Sequence, residues 1–560
     1  MKKYCRITTI RYAGYLGINL IAAICQVAIA LIIQVTIDTA GAGDRSRFRQ
    51  IIIFTCVFLL CYFFTYYIRN VYTQKLADDF IAVLREKLYG KIMERSYEKF
   101  RQRPVSDYLS LLTNDIHIYQ EGAVKSRLLV VQNLISLLVV TISLTAASPG
   151  ITLVVAVCTA GIYLTPQIIN RKIKKTQGEV SQKLASMTEY SENHLEGFYT
   201  ILTFFHQKKS REQFQKRNRE YNHRKILLDK LMGKSETLSM GMSVGTELLV
   251  LFLSAGMVMA GTMTVGTLVA VMQLTGAFVQ PLTLIMQNIP RITAGKALEE
   301  RFRAVLEEEN NREAQKTPVT FKKEIRISGL KFSYGNGKEV LSGVDFIFEK
   351  GKKYALTGES GSGKTTLINL LNGIYPYSAG LISVDGRKIG QQEALGYRSL
   401  FATAGQNVFL FNTTILENIT LMEEPEQEQL KEACRISGLE EILSAFPQGF
   451  DTKIMDNGAG LSGGQKQKIA LARALYHKKP VLILDEGTSA IDKKSAAQME
   501  AELLKTEGLT LLAITHDIRS PLLAEYDKIL YMRQGKIEES GTYEELCRKG
   551  KAFAEFVKLV

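Results

Sequence analysis

The sequence predicts two joined parts of different class: an all-α polytopic membrane domain with six transmembrane helices, then an α/β domain built on a parallel sheet. Three observations predict this. Uncharged apolar runs of roughly 20 residues, the length that crosses a bilayer, crowd into the first half. Charged segments with helical periodicity join those runs on one side. The second half carries a glycine-rich loop between a strand-like and a helix-like segment. At 560 residues the chain is also too long for one ordinary core.

The apolar runs fall at Tyr12 to Ile37, Ile51 to Tyr72, Leu128 to Ala147, Ile151 to Ile169, Leu238 to Ala260 and Leu268 to Ile289. The first is too long for a cleavable signal segment and lacks a small-residue cleavage pattern, so it is expected to span. Lys2, Lys3, Arg6 and Arg11 precede it, and Arg171, Lys172, Lys174 and Lys175 follow the fourth run, which puts both flanks in the cytoplasm. An even number of spans returns the chain to that side, so both termini are expected there. The loop with Arg45, Arg47 and Arg49 then lies outside, against the charge rule. The other outer turns, at Ser148-Pro149-Gly150 and Gly261 to Gly266, are short and uncharged.

Net charge is +14, but the excess Lys and Arg sit beside the apolar runs, where topology and anionic headgroups use them. The basicity therefore points to a membrane and not to nucleic acid. The seven cysteines, Cys5, Cys25, Cys56, Cys61, Cys158, Cys434 and Cys547, are scattered without metal-site or redox-pair spacing.

The inner connections Thr73 to Arg127 and Arg171 to Lys234 are charged and apolar at helical spacing, as at Leu76, Phe80, Val83, Leu84 and Leu88. The membrane helices are expected to continue inward, and roughly 25 extra residues reach about 35 Å beyond the bilayer. Polar residues in the spans mark a candidate substrate path. Gln273, Gln280 and Gln287 recur every seven residues on one stripe of the sixth helix, either lining a cavity or bonding between helices. Glu247 lies mid-span in the fifth helix, where a charge is costly, and serves a cavity or a buried pair. The aromatics Tyr62, Phe63, Phe64, Tyr66 and Tyr67 read as packing and interfacial anchors.

The membrane domain is placed at 1–305, a charged, apolar-poor linker at 306–323, and a second domain at 324–560. That domain's decisive feature is Gly358-Glu359-Ser360-Gly361-Ser362-Gly363-Lys364-Thr365, with Thr366 opening the helical stretch. The pattern is a phosphate-binding loop: glycines let backbone N–H groups surround phosphate oxygens at a helix N-terminus, Lys364 neutralises them, and Thr365 holds Mg²⁺. Pro480 to Glu486 reads as a buried strand ending in two carboxylates. Asp485 suits the metal, and Glu486 suits orienting and deprotonating a water. ATP and Mg²⁺ are the expected cofactors.

Leu461-Ser462-Gly463-Gly464-Gln465 lies between these motifs, opening the helical Lys466 to Leu475. This resembles the signature sequence of ABC ATPases, and the rest of that pattern follows in order: Tyr334, Gln406, Asp492 and His516. With six spans ahead of it, the chain resembles an exporter-type half-transporter, in which Ser106 to Asp115 and Glu192 to Phe205 look like coupling-helix regions. The resemblance implies an ABC ATPase domain with a helical subdomain. It also implies that Tyr334 stacks on adenine, Gln406 senses Mg²⁺ and water, His516 contacts the γ phosphate, and Asp492 belongs to the nucleotide site. Ser462, Gly463, Gly464 and Gln465 would complete the site of a second subunit. Gly487, Met455, Lys466 and Lys468 depart from the family's usual residues without removing a phosphate ligand.

The expectation is ATP-driven export of a small-molecule drug, lipid or peptide across the plasma membrane of a bacterium, by alternating access in a homodimer or heterodimer. The first span begins too early for a preceding peptidase domain, which counts against a self-processing peptide exporter. An ATP-gated regulatory protein and an importer of a bound compound are the rival readings; intact Glu486 and His516 count against the first.

Overall fold

A computed structural model describes residues 9–308, 319–334, 337–390, 394–405, 408–485, 491–515 and 520–559. The chain divides into two compact units, Met1–Met93 with Pro104–Glu308, and Glu94–Arg103 with Glu309–Val560.

The first unit is built from six long helices among the described residues: α1 (Thr9–Gly41), α2 (Arg45–Met93), α3 (Val105–Ala147), α4 (Pro149–Glu196), α5 (Gln207–Met259) and α6 (Val265–Leu306). Five are long and apolar enough to cross a membrane, and α4 carries its apolar stretch at Pro149–Gly161. Residues 162–169 of the expected fourth span lie outside the described side chains. The helices do continue well past the expected spans: α2, α4 and α5 run 49, 48 and 53 residues. At 1.5 Å per residue each exceeds about 70 Å, more than twice a hydrocarbon core.

The short turns between the long helices carry capped helix ends. Ser148 accepts the Ile151 N–H ahead of Pro149, and Thr264 accepts the Thr267 N–H. Asp44 accepts the Arg47 N–H, so Arg45, Arg47 and Arg49 form the first turns of α2, not a loop. The core joins Val27 and Ala30 of α1, Val140 and Leu144 of α3, Ile151 and Val155 of α4, Val250 of α5, and Leu274 and Phe278 of α6. Ile53, Phe54, Leu60, Phe63 and Phe64 point outward, an apolar surface that hydrocarbon accommodates and water does not. Toward its N-terminal end α3 is interrupted by π-helical turns at Leu111–Asp115 and Gln120–Val124.

The second unit holds two sheets. One is antiparallel, in the order β2 (Glu339–Glu349), β1 (Glu324–Ser333), β4 (Ala379–Val384), β5 (Arg387–Lys388). The other runs β10 (Lys536–Gly541), β9 (Lys528–Arg533), β3 (Lys353–Gly358), β8 (Thr510–Ile514), β7 (Val481–Asp485), β6 (Phe401–Ala404), with β9, β3, β8, β7 and β6 parallel. Strands β3 and β8 are buried along their whole length, and β7 in all but its last residue, because both faces are covered. A separate helical core, with Leu410, Ile415, Leu430, Ile454, Ile469 and Tyr476, forms the helical subdomain. The sheet core also takes in Val319 and Phe321, upstream of the boundary read at 324. Most of the linker, residues 309–318, lies outside the described residues.

Both regions that the resemblance pointed to, Ser106 to Asp115 and Glu192 to Phe205, belong to the first unit. Glu94–Arg103 instead packs with the second. Its short helix Tyr97–Arg101 starts at Ser96, whose Oγ accepts the Lys99 N–H, and Tyr97 packs edge-on against Tyr375 at 6.2 Å. The shift has a plain cause: Ser96 and Pro104 bracket a short element, and neither breaks the apolar periodicity by which the long helix was read.

A candidate nucleotide site at the ends of the parallel strands

The loop after β3 is shaped by positions only glycine can fill. Gly358 has φ +148°, and a Cβ there would strike the Met532 carbonyl oxygen. Gly361 and Gly363 also have positive φ, at +78° and +103°. Next comes helix α7 (Lys364–Leu371), whose N-cap, Gly363, has no side chain to cap it. A helix N-terminus capped in this way suits an anion. The Ser362 hydroxyl is buried with no hydrogen-bond partner among the described residues. Lys364 is buried, and its Nζ donates to the carbonyls of Gly358 at 2.8 Å and Glu359 at 2.9 Å, so the ammonium lies across the loop. A glycine-capped helix N-terminus, an unanswered hydroxyl and a positioned cation fit a polyphosphate. Ser360 and Thr365 are exposed beside them, and Thr366 is buried.

The parallel sheet brings the remaining motifs to the same edge. Leu356 of β3 and Asp485 of β7 both pair with Ile514 of β8, which sets Asp485 level with the loop's root two strand spacings away, about 10 Å. Gln406 follows two residues after β6, Glu486 one residue after β7, and His516 two residues after β8. All three lie outside the described residues, but the strands leading to them are parallel and end on one side. Hydroxyl, carboxylate and amide oxygens from Thr365, Asp485 and Gln406 are the donor set a hard divalent cation takes.

Tyr334 stands at the mouth of the loop. Its ring meets Phe332 at 4.9 Å and Tyr375 at 5.7 Å, both edge-on, and its hydroxyl is 3.2 Å from Thr366 Oγ1. The sequence reading missed Tyr375, which touches Tyr334 on one side and Tyr97 on the other. Only its aromatic type, four residues beyond the end of α7, hinted at it.

The signature residues form a cap. Ser462 Oγ accepts the Gln465 N–H at 3.2 Å and Gln465 Oε1 accepts the Ser462 N–H at 2.8 Å, opening helix α8 (Gly463–Tyr476), which follows the short helices Ile415–Thr420 and Gln427–Ser437 of its subdomain. The helix thus begins at Gly463, three residues earlier than read. Ser462 and Gly463 are exposed. Asp492 also caps a helix, Lys493–Lys505, by accepting the Ser495 N–H at 2.9 Å. Hydrogen bonds from Ser495 hold its carboxyl below the usual range. In the helical unit Gln273, Gln280 and Gln287 are all exposed on one face of α6, and Glu247 is half-buried on α5.

Comparison with known proteins agrees with this architecture. The ABC transporter transmembrane region matches residues 14–282, and the ABC transporter domain matches residues 341–489. An ATP-dependent lipid A-core flippase of Burkholderia thailandensis is 32% identical over 416 residues, 73% of this chain and 69% of the relative. An uncharacterized ABC transporter ATP-binding protein of Bacillus subtilis, YknV, is 27% identical over 557 residues, 97% and 91% of the two chains. A bacterial Atm1-family ABC exporter solved with ATP bound shares the fold at a TM-score of 0.82 and 19% identity, over 98% of each chain. The chain belongs to the ABC transporter family, as an exporter-type half-transporter that joins a multi-pass membrane domain to an ATP-hydrolysing domain.

Proposed function

We propose that two such chains export a lipid or other amphipathic compound from the inner side of a bacterial plasma membrane, with both termini cytoplasmic. The observation that carries this reading is the sheet edge where the phosphate loop, Asp485 and the strands leading to Gln406, Glu486 and His516 converge. Lipid A-core flippases among the relatives favour a lipid-like cargo. In this reading the membrane domain covers 1–305, the linker 306–323 and the ATPase domain 324–560.

Bound ATP with Mg²⁺ supplies the phosphoryl group and the cation that polarises it. Lys364 and the first N–H groups of α7 hold the phosphate oxygens, while Thr365, Asp485 and Gln406 provide metal ligands. Glu486 orients a water and takes its proton at the carboxylate. His516 steadies the γ-phosphate position, and Tyr334 offers a ring face to adenine. Ser462 already accepts one hydrogen bond, yet its O–H still donates. With the N–H groups of Gly463 and Gly464 it completes the partner subunit's site, so neither chain closes a site alone. Nucleotide state then selects between two arrangements of the membrane helices.

The test is ATP hydrolysis by the purified chain in lipid discs, compared with Glu486→Gln. Nucleotide binding retained with turnover abolished is the expected result. A folded, ATP-binding but inactive unmutated chain would sink the homodimer and call for a different partner subunit.

A further inference from the structure

A second polar feature lies inside the helical unit. A cavity of ≈ 280 Å³ opens between α1, α2, α3 and α6, with Asn19, Gln26, Tyr62, Arg69, Asn133 and Gln280 in its lining. Asn19, Arg69 and Asn133 fall in the half of an apolar run nearer the end that the basic flanks assign to the cytoplasm, while Gln26, Tyr62 and Gln280 lie near the middle of theirs. The polar pocket therefore reaches from the middle of the span into its inner-leaflet half.

Its chemistry is unbalanced. Arg69 is the lone ionisable group in the lining apart from the tyrosine hydroxyl groups, and no carboxylate accompanies it. Its guanidinium carbon sits 4.3 Å over the Tyr66 ring, but its Nε is buried with no partner among the described residues. Asn19 is 2% exposed, spends its Nδ2 on the Tyr15 carbonyl at 2.8 Å, and leaves Oδ1 unanswered. The neighbours are occupied: Asn133 Nδ2 donates to the Leu129 carbonyl, and Ser136 Oγ donates to Gln26 Oε1. A cation within a span without a counter-ion is costly, and so is a buried acceptor without a donor. Water can answer the amide oxygen but cannot neutralise the charge. An anionic group bearing a hydroxyl or ammonium donor answers both.

We propose that this cavity binds the anionic group, phosphate or carboxylate, of the transported amphipathic compound. Arg69 is its counter-ion, Asn19 accepts from the adjacent donor, and Gln280 contacts it from the rim. The inference rests on the export reading and deepens it by naming the cargo's charge. It also joins one member of the glutamine stripe to a defined pocket.

The test uses the full chain in discs of neutral phosphatidylcholine and measures saturable binding of dioctanoyl phosphatidylglycerol, glycerol 3-phosphate and octanoate. Arg69→Gln should weaken binding about ten- to a hundredfold, the range of a charge-assisted hydrogen bond. Arg69→Lys should restore most of it and serves as the folding control. Gln280→Ala, at an exposed position, should weaken binding more modestly. Binding of the lipid alone assigns the anion to a headgroup; equal binding of the soluble anions assigns it to a free organic acid or phosphate, and either supports the site. Binding unchanged by Arg69→Gln, or no saturable binding of any probe, overturns it. If hydrolysis depends on Glu486 while no probe binds, the cavity inference fails and the export reading stands. Hydrolysis independent of Glu486 fails the export reading whatever the probes do.

Discussion

Asp385 shows how much one exposed side chain can organise. Its carboxylate accepts the backbone N–H groups of Lys322 at 2.6 Å, Lys323 at 2.7 Å and Glu324 at 2.9 Å, pinning the entry of β1 to the turn after β4. Partial burial pushes its pKa up, but these three donors and the nearby Lys322 charge outweigh that and hold it below 3.8. A depressed carboxylate contributes stability that is fully present above the ordinary pKa, about 4, and lost as pH falls through the lower folded value. Asp385→Asn is therefore expected to cost about 1 kcal/mol at neutral pH, because exposure lets water replace part of each bond. Calorimetry of the full chain should show that deficit shrinking below about pH 4. A deficit constant across that range would contradict the assignment.

At the scale of elements, the N-terminal part of α3 and the C-terminal part of α6 meet where neither has room to spare. A Cβ on Gly295 of α6 would overlap Ala123 Cβ, which lies in the second π turn of α3. Beside this contact Arg127 pairs with Glu299 at 2.7 Å, and Arg301 with Asp115 at 2.7 Å, where the Asp115 side chain is only 8% exposed. Tyr119 and Ala123, four residues apart and so on one face of the helix, both approach Gly295 of α6. Gly295→Ala should lower stability by about 1–3 kcal/mol through overpacking. Combining it with Ala123→Gly should recover most of that loss in the thermal unfolding of the detergent-solubilised chain. Failure of the pair to compensate would mean that the two helices are not held by this approach.

For the whole molecule, the glycine-capped P-loop helix and the exposed Ser462 and Gly463 belong to different ends of the second unit's chemistry. If each site takes its loop from one chain and its signature from the other, a chain with Lys364→Ala and a chain with Ser462→Arg are each inactive alone. Co-assembled in discs, they should regain measurable ATP hydrolysis, because one of the two sites in a mixed dimer is intact. No recovery in isolated mixed dimers would mean that one chain supplies both halves of its own site.

Local patterns determined much of this protein. Length and hydropathy set out the spans, since hydrocarbon demands about 20 apolar residues whatever the neighbours. Glycine spacing located the phosphate loop, because the backbone conformation at Gly358 excludes a Cβ. A short apolar run ending in two carboxylates marked the strand that closes at Asp485. Other features were settled by packing between distant segments. The Tyr97–Arg101 excursion, the Tyr375 wall beside Tyr334 and the π turns of α3 leave no periodic trace, because each depends on what a side chain meets and not on its spacing. The cavity around Arg69 is the clearest case. Asn19, Arg69, Asn133 and Gln280 lie on four helices and read singly as isolated polar residues, and only the tertiary fold gathers them into one pocket with a charge left to neutralise.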